Sequence, residues 1–211
     1  MKFSSSLTDD LRPLVLDTSV LINLHASTFG ERILRAVPND IVVPTIVANE
    51  LEHETSRRNG ERSFLHGLRA NGCVTLADLT EEEYARFSIL TSGSSSLDDG
   101  EAATIAIAAD RGLHCLIDEK KGRARAIASM GELEPAWSLD LMRHPQVVAT
   151  LGSTQSADAL YLALRDGRMR IHEDHCNHVV DLIGTRRALE CRSLPGYKVR
   201  QLDWRETSTS K

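Results

Sequence analysis

Aromatic residues are scarce in this chain: Phe, Trp and Tyr together make up 4% of its 211 residues. That scarcity argues against a single-strand binder built on aromatic stacking platforms, and it leaves the core to Leu, Ile, Val and Ala. Positive charge is not in excess either. Lys and Arg number 25 against 30 Asp and Glu, a formal net charge of -5, so any contact with nucleic acid has to be a local basic patch rather than an overall field. The four cysteines, Cys73, Cys115, Cys176 and Cys191, contain no C-x-x-C pair. Cys73 and Cys115 lie in apolar, strand-like runs and are expected as buried free thiols of a reducing compartment. The longest strongly apolar run, AATIAIAA, is too short to span a bilayer, and the start, MKFSSSLTDDLRP, has no apolar signal segment. A soluble, cytoplasmic protein without membrane association is expected. There is no G-x-S-x-G elbow, no P-loop, no G-x-G-x-x-G and no internal repeat.

What the chain does have is a 41% hydrophobic content, enough for a true core, and a regular alternation of short apolar runs with helical patterns. PLVLD (13–17), NDIVVP (39–44), CVTLADL (73–79) and LHCLID (113–118) read as strands. TSVLINLHA, residues 29–37, TIVANELEHET (45–55), residues 57–72, TEEEYARFSIL (80–90), residues 97–112 and KKGRARAIASMG read as helices. Thr18 or Ser19 can cap the first of these, and Thr80 with Glu83 has capping-box spacing. Such alternation predicts βαβ units and a mostly parallel sheet between helices. After Pro135 two further helices, 156–167 and 172–184, follow without strands between them. The expected division is an α/β domain over 13–145, a helical extension over 146–184 and a tail over 185–211.

In a parallel sheet the strand C-termini share one edge, where open α/β sheets bind ligands. Two strands end there in acid, Asp17 and Asp118. Glu50, just after the second strand, and Glu101, in the first turn of the helix before the fourth, are drawn toward the same edge. Two like charges about 4 Å apart at an effective dielectric near 20 repel by roughly 4 kcal/mol. A hard divalent cation relieves that cost, and oxygen donors suit Mg²⁺ or Mn²⁺ over Zn²⁺. Glu52 and Glu54 are rivals of Glu50, and Asp98 and Asp99 are rivals of Glu101. Asp17 is equally suited to be a plain helix cap, and Glu101 a helix-dipole acid. Lys120, Lys121, Arg123 and Arg125 follow Asp118 at once and are the candidate phosphate contacts, with a solvated face as the bland reading; Arg57, Arg58 and Arg62 are a second candidate patch. HEDHCNH (172–178) invites a zinc site with Cys191, but helical phase puts His172, Cys176, Val179, Val180 and Ile183 on one face, with His175 and His178 elsewhere, which predicts an amphipathic helix.

LVLDTSVLINL (14–24), IVVPTIVANELE (41–52), LDDGEAATIAIAADRG (97–112) and LHCLIDEKKGRARAIASMG (113–131) together resemble PIN-domain nucleases, in particular the bacterial and archaeal group similar to toxin-type (VapC-like) ribonucleases. The resemblance implies a PIN-like three-layer α/β/α fold. It implies Mg²⁺- or Mn²⁺-dependent hydrolysis of RNA, with Asp17, Glu50, Glu101 and Asp118 as metal-binding carboxylates and Glu119 as an accessory acid. Thr18, Ser19 and Asn23 are the residues expected to orient Asp17 or a water. RNA is the expected partner, with an antitoxin or other regulatory protein and a homodimer contact as further expectations. The chain is longer than the commonest toxins, and its C-terminal helices and tail are expected to form a partner surface, a dimer contact or a lid. The rival readings are a PIN fold that binds RNA or protein without cleaving it, and a phosphatase-like or receiver-like protein with an acidic pocket.

Overall fold

The computed structural model describes residues 3–209. In chain order the elements are β1 (Leu14–Leu16), α1 (Thr18–Ala26), α2 (Gly30–Ala36), β2 (Ile41–Pro44), α3 (Thr45–Glu50), α4 (Glu54–Asn59), α5 (Glu61–Ala70), β3 (Thr75–Ala77), α6 (Glu81–Leu90), α7 (Asp99–Arg111), β4 (His114–Leu116), α8 (Lys120–Met130), α9 (Ser138–Met142), α10 (Pro145–Arg165), α11 (Cys176–Ile183), α12 (Thr185–Ala188) and α13 (Tyr197–Thr209). They group into two compact units. One comprises Asp9–Ile22 and Pro38–Trp137 and contains the whole sheet; the other comprises Met1–Thr8, Asn23–Val37 and Ser138–Lys211. Both are discontinuous in sequence, whereas the division expected above followed the chain.

The sheet has four strands in the order β3-β2-β1-β4, and every neighbouring pair is parallel. β1 and β4 are buried along their whole length, as apolar strands inside a covered parallel sheet must be. Leu14 pairs with both Ile41 and His114, and Leu16 pairs with Leu116. The chain runs outward from β1 through β2 to β3, then returns to place β4 on the other side of β1. The C-terminal end of β1 is therefore the switch point of the sheet, the place where open α/β folds form a ligand crevice.

Helix α7 anchors the core of this unit. Its residues from Gly100 to Ala108 are all buried, and apart from Glu101 and Thr104 none of them has a polar side chain, as suits an internal helix. Ala102, Ile105 and Ala108 pack with Val15, Cys115 and Ile117 of the strands and with Ala126 and Met130 of α8. Burying each of the larger side chains contributes roughly 1.5–3 kcal/mol. Asp98 caps α7 by accepting a hydrogen bond from the Glu101 N–H at 2.8 Å, and Gly112 ends the helix in a left-handed conformation. Thr80 and Glu83 form the full capping box of α6.

The expected helix over 45–55 is two helices. The chain breaks between α3 and α4, where Leu51 is drawn into the core with 1% exposure. Two further expectations are corrected. Cys73 lies two residues before β3 and is only half-buried, while Cys115, Cys176 and Cys191 are buried. His172 is exposed rather than on the apolar face of α11, because its ring caps a single 3₁₀ turn, Glu173–His175, by accepting from the Asp174 N–H. Cys176, Val179, Val180 and Ile183 are buried as helical phase required. α10 begins at Pro145, earlier than expected, with His144 as its cap and a kink at Gly152, whose φ of 74° lies in the left-handed region. No helix among the described residues is long and apolar enough to cross a membrane.

Glu83 ties α6 to α7. Its carboxylate, 2% exposed, accepts from the Thr80 N–H and from Arg111 Nε at 2.6 Å and Nη2 at 2.9 Å. The Arg111 guanidinium holds the Glu83 carboxyl below its ordinary range. Glu83→Gln is expected to lower stability by about 2 kcal/mol. A depressed carboxyl contributes its stability above the unfolded pKa and loses it as pH falls through the folded one, so the difference between wild type and Glu83→Gln in urea melts should shrink from about pH 7 to about pH 3. A difference that does not change with pH would refute the ion-pair origin of the effect.

Candidate active site

The strand that positions Asp17 also buries it. β1 ends at Leu16, and Asp17, 3% exposed, follows at the switch point with its N–H on the Leu116 carbonyl at 3.3 Å. Its carboxylate accepts from the Ser19 N–H at 3.2 Å and the Ser19 hydroxyl at 2.6 Å, so Asp17 itself, rather than Thr18 or Ser19, caps α1. Burial pushes the Asp17 carboxyl up to about 7; the Ser19 hydrogen bond works against that rise, and the charge of Asp98 adds to it.

Glu101 stands in the first turn of α7 with 4% exposure. Burial raises it to about 8, and the charges of Asp98, Asp17 and Glu119 push in the same direction while Lys121 opposes them. Its Oε1 is buried without a hydrogen-bond partner. An orphaned carboxylate oxygen in a protein interior is rare and costly. Glu50, the last residue of α3, is half-buried. Its two oxygens accept from the Thr18 hydroxyl and from the Gly100 N–H at 2.7 Å. Burial raises its carboxyl as well, against the Thr18 hydrogen bond and with the charges of Asp98 and Asp99.

Asp98 is thus the acid whose charge bears on Asp17, Glu50 and Glu101 alike, although it is itself exposed. Asp118, 3% exposed, lies two residues beyond β4; the β1–β4 register sets Ile117 level with Asp17 and Asp118 one residue further out. Glu119 is the residue before α8. Among the described residues no three His, Cys, Asp or Glu side chains form a cluster ready to hold a metal ion. The set nevertheless fits a hard divalent cation by donor type and by charge: the donors are all oxygen, three of the carboxyls are raised, and one buried oxygen lacks a partner.

Two glycines give these acids their room, and residue patterning did not single them out. A Cβ on Gly100 would stand 2.6 Å from Glu50 Oε2 and 2.8 Å from Thr18 Oγ1, and a Cβ on Gly122 would stand 2.5 Å from Glu101 Oε1. The signal in the sequence is a glycine in the first turn of each of two helices, Asp-Asp-Gly-Glu and Lys-Lys-Gly-Arg, where a better helix former would be expected.

The basic run after Asp118 does not act as one patch. Lys120 and Lys121 are exposed, and Lys121 Nζ donates to the Ser96 carbonyl. Arg123 donates to the Ile117 carbonyl at 3.1 Å and lies over the Trp137 ring at 3.8 Å. Arg125 lines a separate groove with Glu82, Arg86 and Ile89. Arg57 and Arg62, of the second candidate patch, both pair with Glu52, as does His66; Arg58 is exposed. The Asn23 amide donates to Ser138 Oγ at 3.3 Å, within the other unit.

A family model described as a PIN domain matches residues 13–185. Neither a curated protein nor a solved structure gives a match.

The raised carboxyls fix a pH dependence. An acid whose folded pKa lies above its unfolded value stabilises the fold below the unfolded pKa and loses that contribution as pH rises through the folded one. With chelator present, stability should therefore fall between about pH 4 and about pH 8 as Asp17 and Glu101 are forced to ionise. Asp17→Asn and Glu101→Gln should each flatten this fall in thermal melts, and Asp17→Asn should match or exceed wild-type stability near neutral pH. A wild-type profile that is level over this range would show that the carboxyls are not strained.

Proposed function

The chain belongs to the PIN-domain family, and from that premise we propose that it is a Mg²⁺- or Mn²⁺-dependent endoribonuclease that hydrolyses RNA phosphodiester bonds. One observation carries the reading: Asp17 and Glu101, at 3% and 4% exposure, are buried where the parallel strands end, and a free Glu101 oxygen awaits a partner. Asp17, Glu50, Glu101 and Asp118 would hold the cation, with Asp98 or Glu119 as accessory acids. When bound, the cation supplies a water of lowered pKa and a counter-charge for the leaving oxygen.

The remaining roles belong to the chain's own groups. Ser19 fixes the rotamer of Asp17. Thr18 and the Gly100 N–H fix Glu50. The packing of Gly122 against Glu101 sets the position of the latter. Lys120 and Lys121 are exposed at the start of α8 and would meet backbone phosphates, contacts that position a nucleic acid without reading its sequence. Arg123 supports the site by holding the Ile117 carbonyl, one residue before Asp118. A cytoplasmic toxin with a co-encoded antitoxin accords with the resemblance to toxin-type ribonucleases, and a small protein encoded next to this one would support it.

The non-cleaving rival has one observation in its favour, the lack of a ready-made ligand cluster among the described residues. Cleavage decides between the two. Purified wild type with Mn²⁺ is expected to cut a total RNA pool at mappable ends and to stop with chelator. Asp17→Asn or Asp118→Asn should abolish this with the circular-dichroism spectrum intact. Turnover like that of wild type in either variant would remove that residue from the site, and the absence of any metal-dependent cut would favour the binding module. Gly122→Ala tests the positioning of Glu101. Alanine favours the helix, so α8 should persist, while the displaced carboxylate should cost about 10²-fold in rate.

A further inference from the structure

The two units carry opposite charge. The sheet-bearing unit has 11 Lys and Arg against 20 Asp and Glu, and the other has 14 against 10. A polyanion is repelled by the field of the first and drawn to that of the second. In the second unit positive charge is concentrated where α10 ends. An open pocket of about 600 Å³ is lined there by Arg165, Arg168, Arg170 and Arg192, with Glu190 as the acid of the lining.

These arginines are not equivalent. Arg165 is neutralised by Asp166, through two hydrogen bonds of 2.7 Å, and it also donates to the Tyr161 hydroxyl. Glu190 accepts from that same hydroxyl at 2.6 Å and lies 3.9 Å from Arg165. Arg168 and Arg192 are exposed, and neither has a hydrogen bond or ion pair among the described residues.

The backbone at Arg168 has a φ of 57°, the left-handed region. It sits just past the end of α10, where the Met169 N–H turns back to the Ala163 carbonyl at 3.0 Å. Glycine or asparagine normally takes such a position. The left-handed backbone belongs to the turn that ends α10, and an arginine holds it at a cost that glycine would not incur. The ring beside the pocket is already covered: the guanidiniums of Arg165 and Arg187 lie 4.8 and 4.9 Å from the centroid of Tyr161. The pocket offers forked donors and charge but no aromatic face for stacking a base, which suits phosphate groups rather than bases.

We propose that this arginine pocket binds the phosphodiester backbone of single-stranded RNA. It rests on the ribonuclease reading for the choice of RNA as the polyanion. An acidic protein segment would meet the same guanidiniums, but a pocket with two uncommitted arginines and a third neutralised in place matches closely spaced phosphates better than single carboxylates. The pocket gives the protein a hold on RNA in the unit whose charge favours it.

The test is binding of an oligouridylate to the full chain, with chelator to prevent turnover, titrated across salt concentration. Arg168→Gly with Arg192→Ala should weaken binding and flatten the log–log salt slope by about 1.4, about 0.7 for each phosphate of the single strand that is no longer neutralised. Arg168→Gly alone should weaken binding while its melting temperature holds or rises, because glycine accepts the left-handed backbone; loss of fold would lower both. An unchanged slope in the double variant overturns the proposal and returns the pocket to a protein partner. The two readings fail separately. If wild type does not cleave yet the slope flattens, the pocket stands and the nuclease falls; if wild type cleaves and the slope is unchanged, the nuclease stands and the pocket falls.

Discussion

Burial of carboxyl groups at the C-terminal edge of a parallel sheet is the constraint around which the rest of this unit is arranged. Asp17 and Glu101 are removed from water without an ion pair among the described residues. Burial is the first cause of the rise in both pKa values, and taking an unpaired carboxylate out of water costs several kcal/mol, a large part of the roughly 5–15 kcal/mol by which a typical domain is stable. A fold cannot carry that cost for packing's sake. The metal-free protein limits it by keeping protons: pKa values of about 7 and about 8 leave Glu101 mostly neutral and Asp17 divided at neutral pH. A cation that replaced those protons would convert the strain into affinity.

That acidity has a second consequence. In the unit that holds the carboxylates many of the arginines are committed: Arg57 and Arg62 are engaged by Glu52, Arg86 by Asp110, Arg111 by Glu83 and Arg123 by Trp137 and a carbonyl. Lys120 and Lys121 remain as exposed cations close in sequence to Asp118. Separation of duties follows from electrostatics: acids that bind a cation and cations that bind a polyanion neutralise each other if placed together. A chain with net charge -5 that did both, as proposed, would gain from sorting its charge, and its two units do differ in the sign of their net charge.

Much of this was legible before any coordinates. Four short apolar runs marked the four strands; β1, β2 and β4 carry the continuous hydrophobic signature of largely buried parallel strands, whereas β3 is an edge strand with Thr75 exposed. Asp17 and Asp118 could be placed at the edge because both follow such runs directly. Glu50 and Glu52 differ in their partners: Glu50 accepts from Thr18 and the Gly100 N–H, whereas Glu52 is taken up by Arg57, Arg62 and His66. Side-chain direction was not legible. Arg123 and Arg125 are two residues apart on a helix and so face nearly opposite ways, which separates what the sequence presents as one basic run. The make-up of the units was hidden too, because Asn23–Val37 groups with residues more than a hundred positions away, and local patterning carries no information on such pairing.

The two glycines show how little space the site leaves. In a helix interior glycine costs about 1 kcal/mol relative to alanine, and the first turns of α7 and α8 each carry one. The compensation is steric. With no Cβ at Gly100, α3 and α7 approach closely enough for the Gly100 N–H to reach Glu50 at 2.7 Å; with no Cβ at Gly122, α8 lies against the Glu101 carboxylate and Ile117. Both helices bring their N-terminal ends and positive dipole to the acids, and two first-turn N–H groups of α7 donate to Glu50 and Asp98. The dipoles soften the repulsion among the carboxylates, and the charge of Lys121 acts on Glu101 in the same sense. Close helix ends made possible by glycine therefore help the fold to tolerate its buried acids while leaving a Glu101 oxygen without a hydrogen-bond partner.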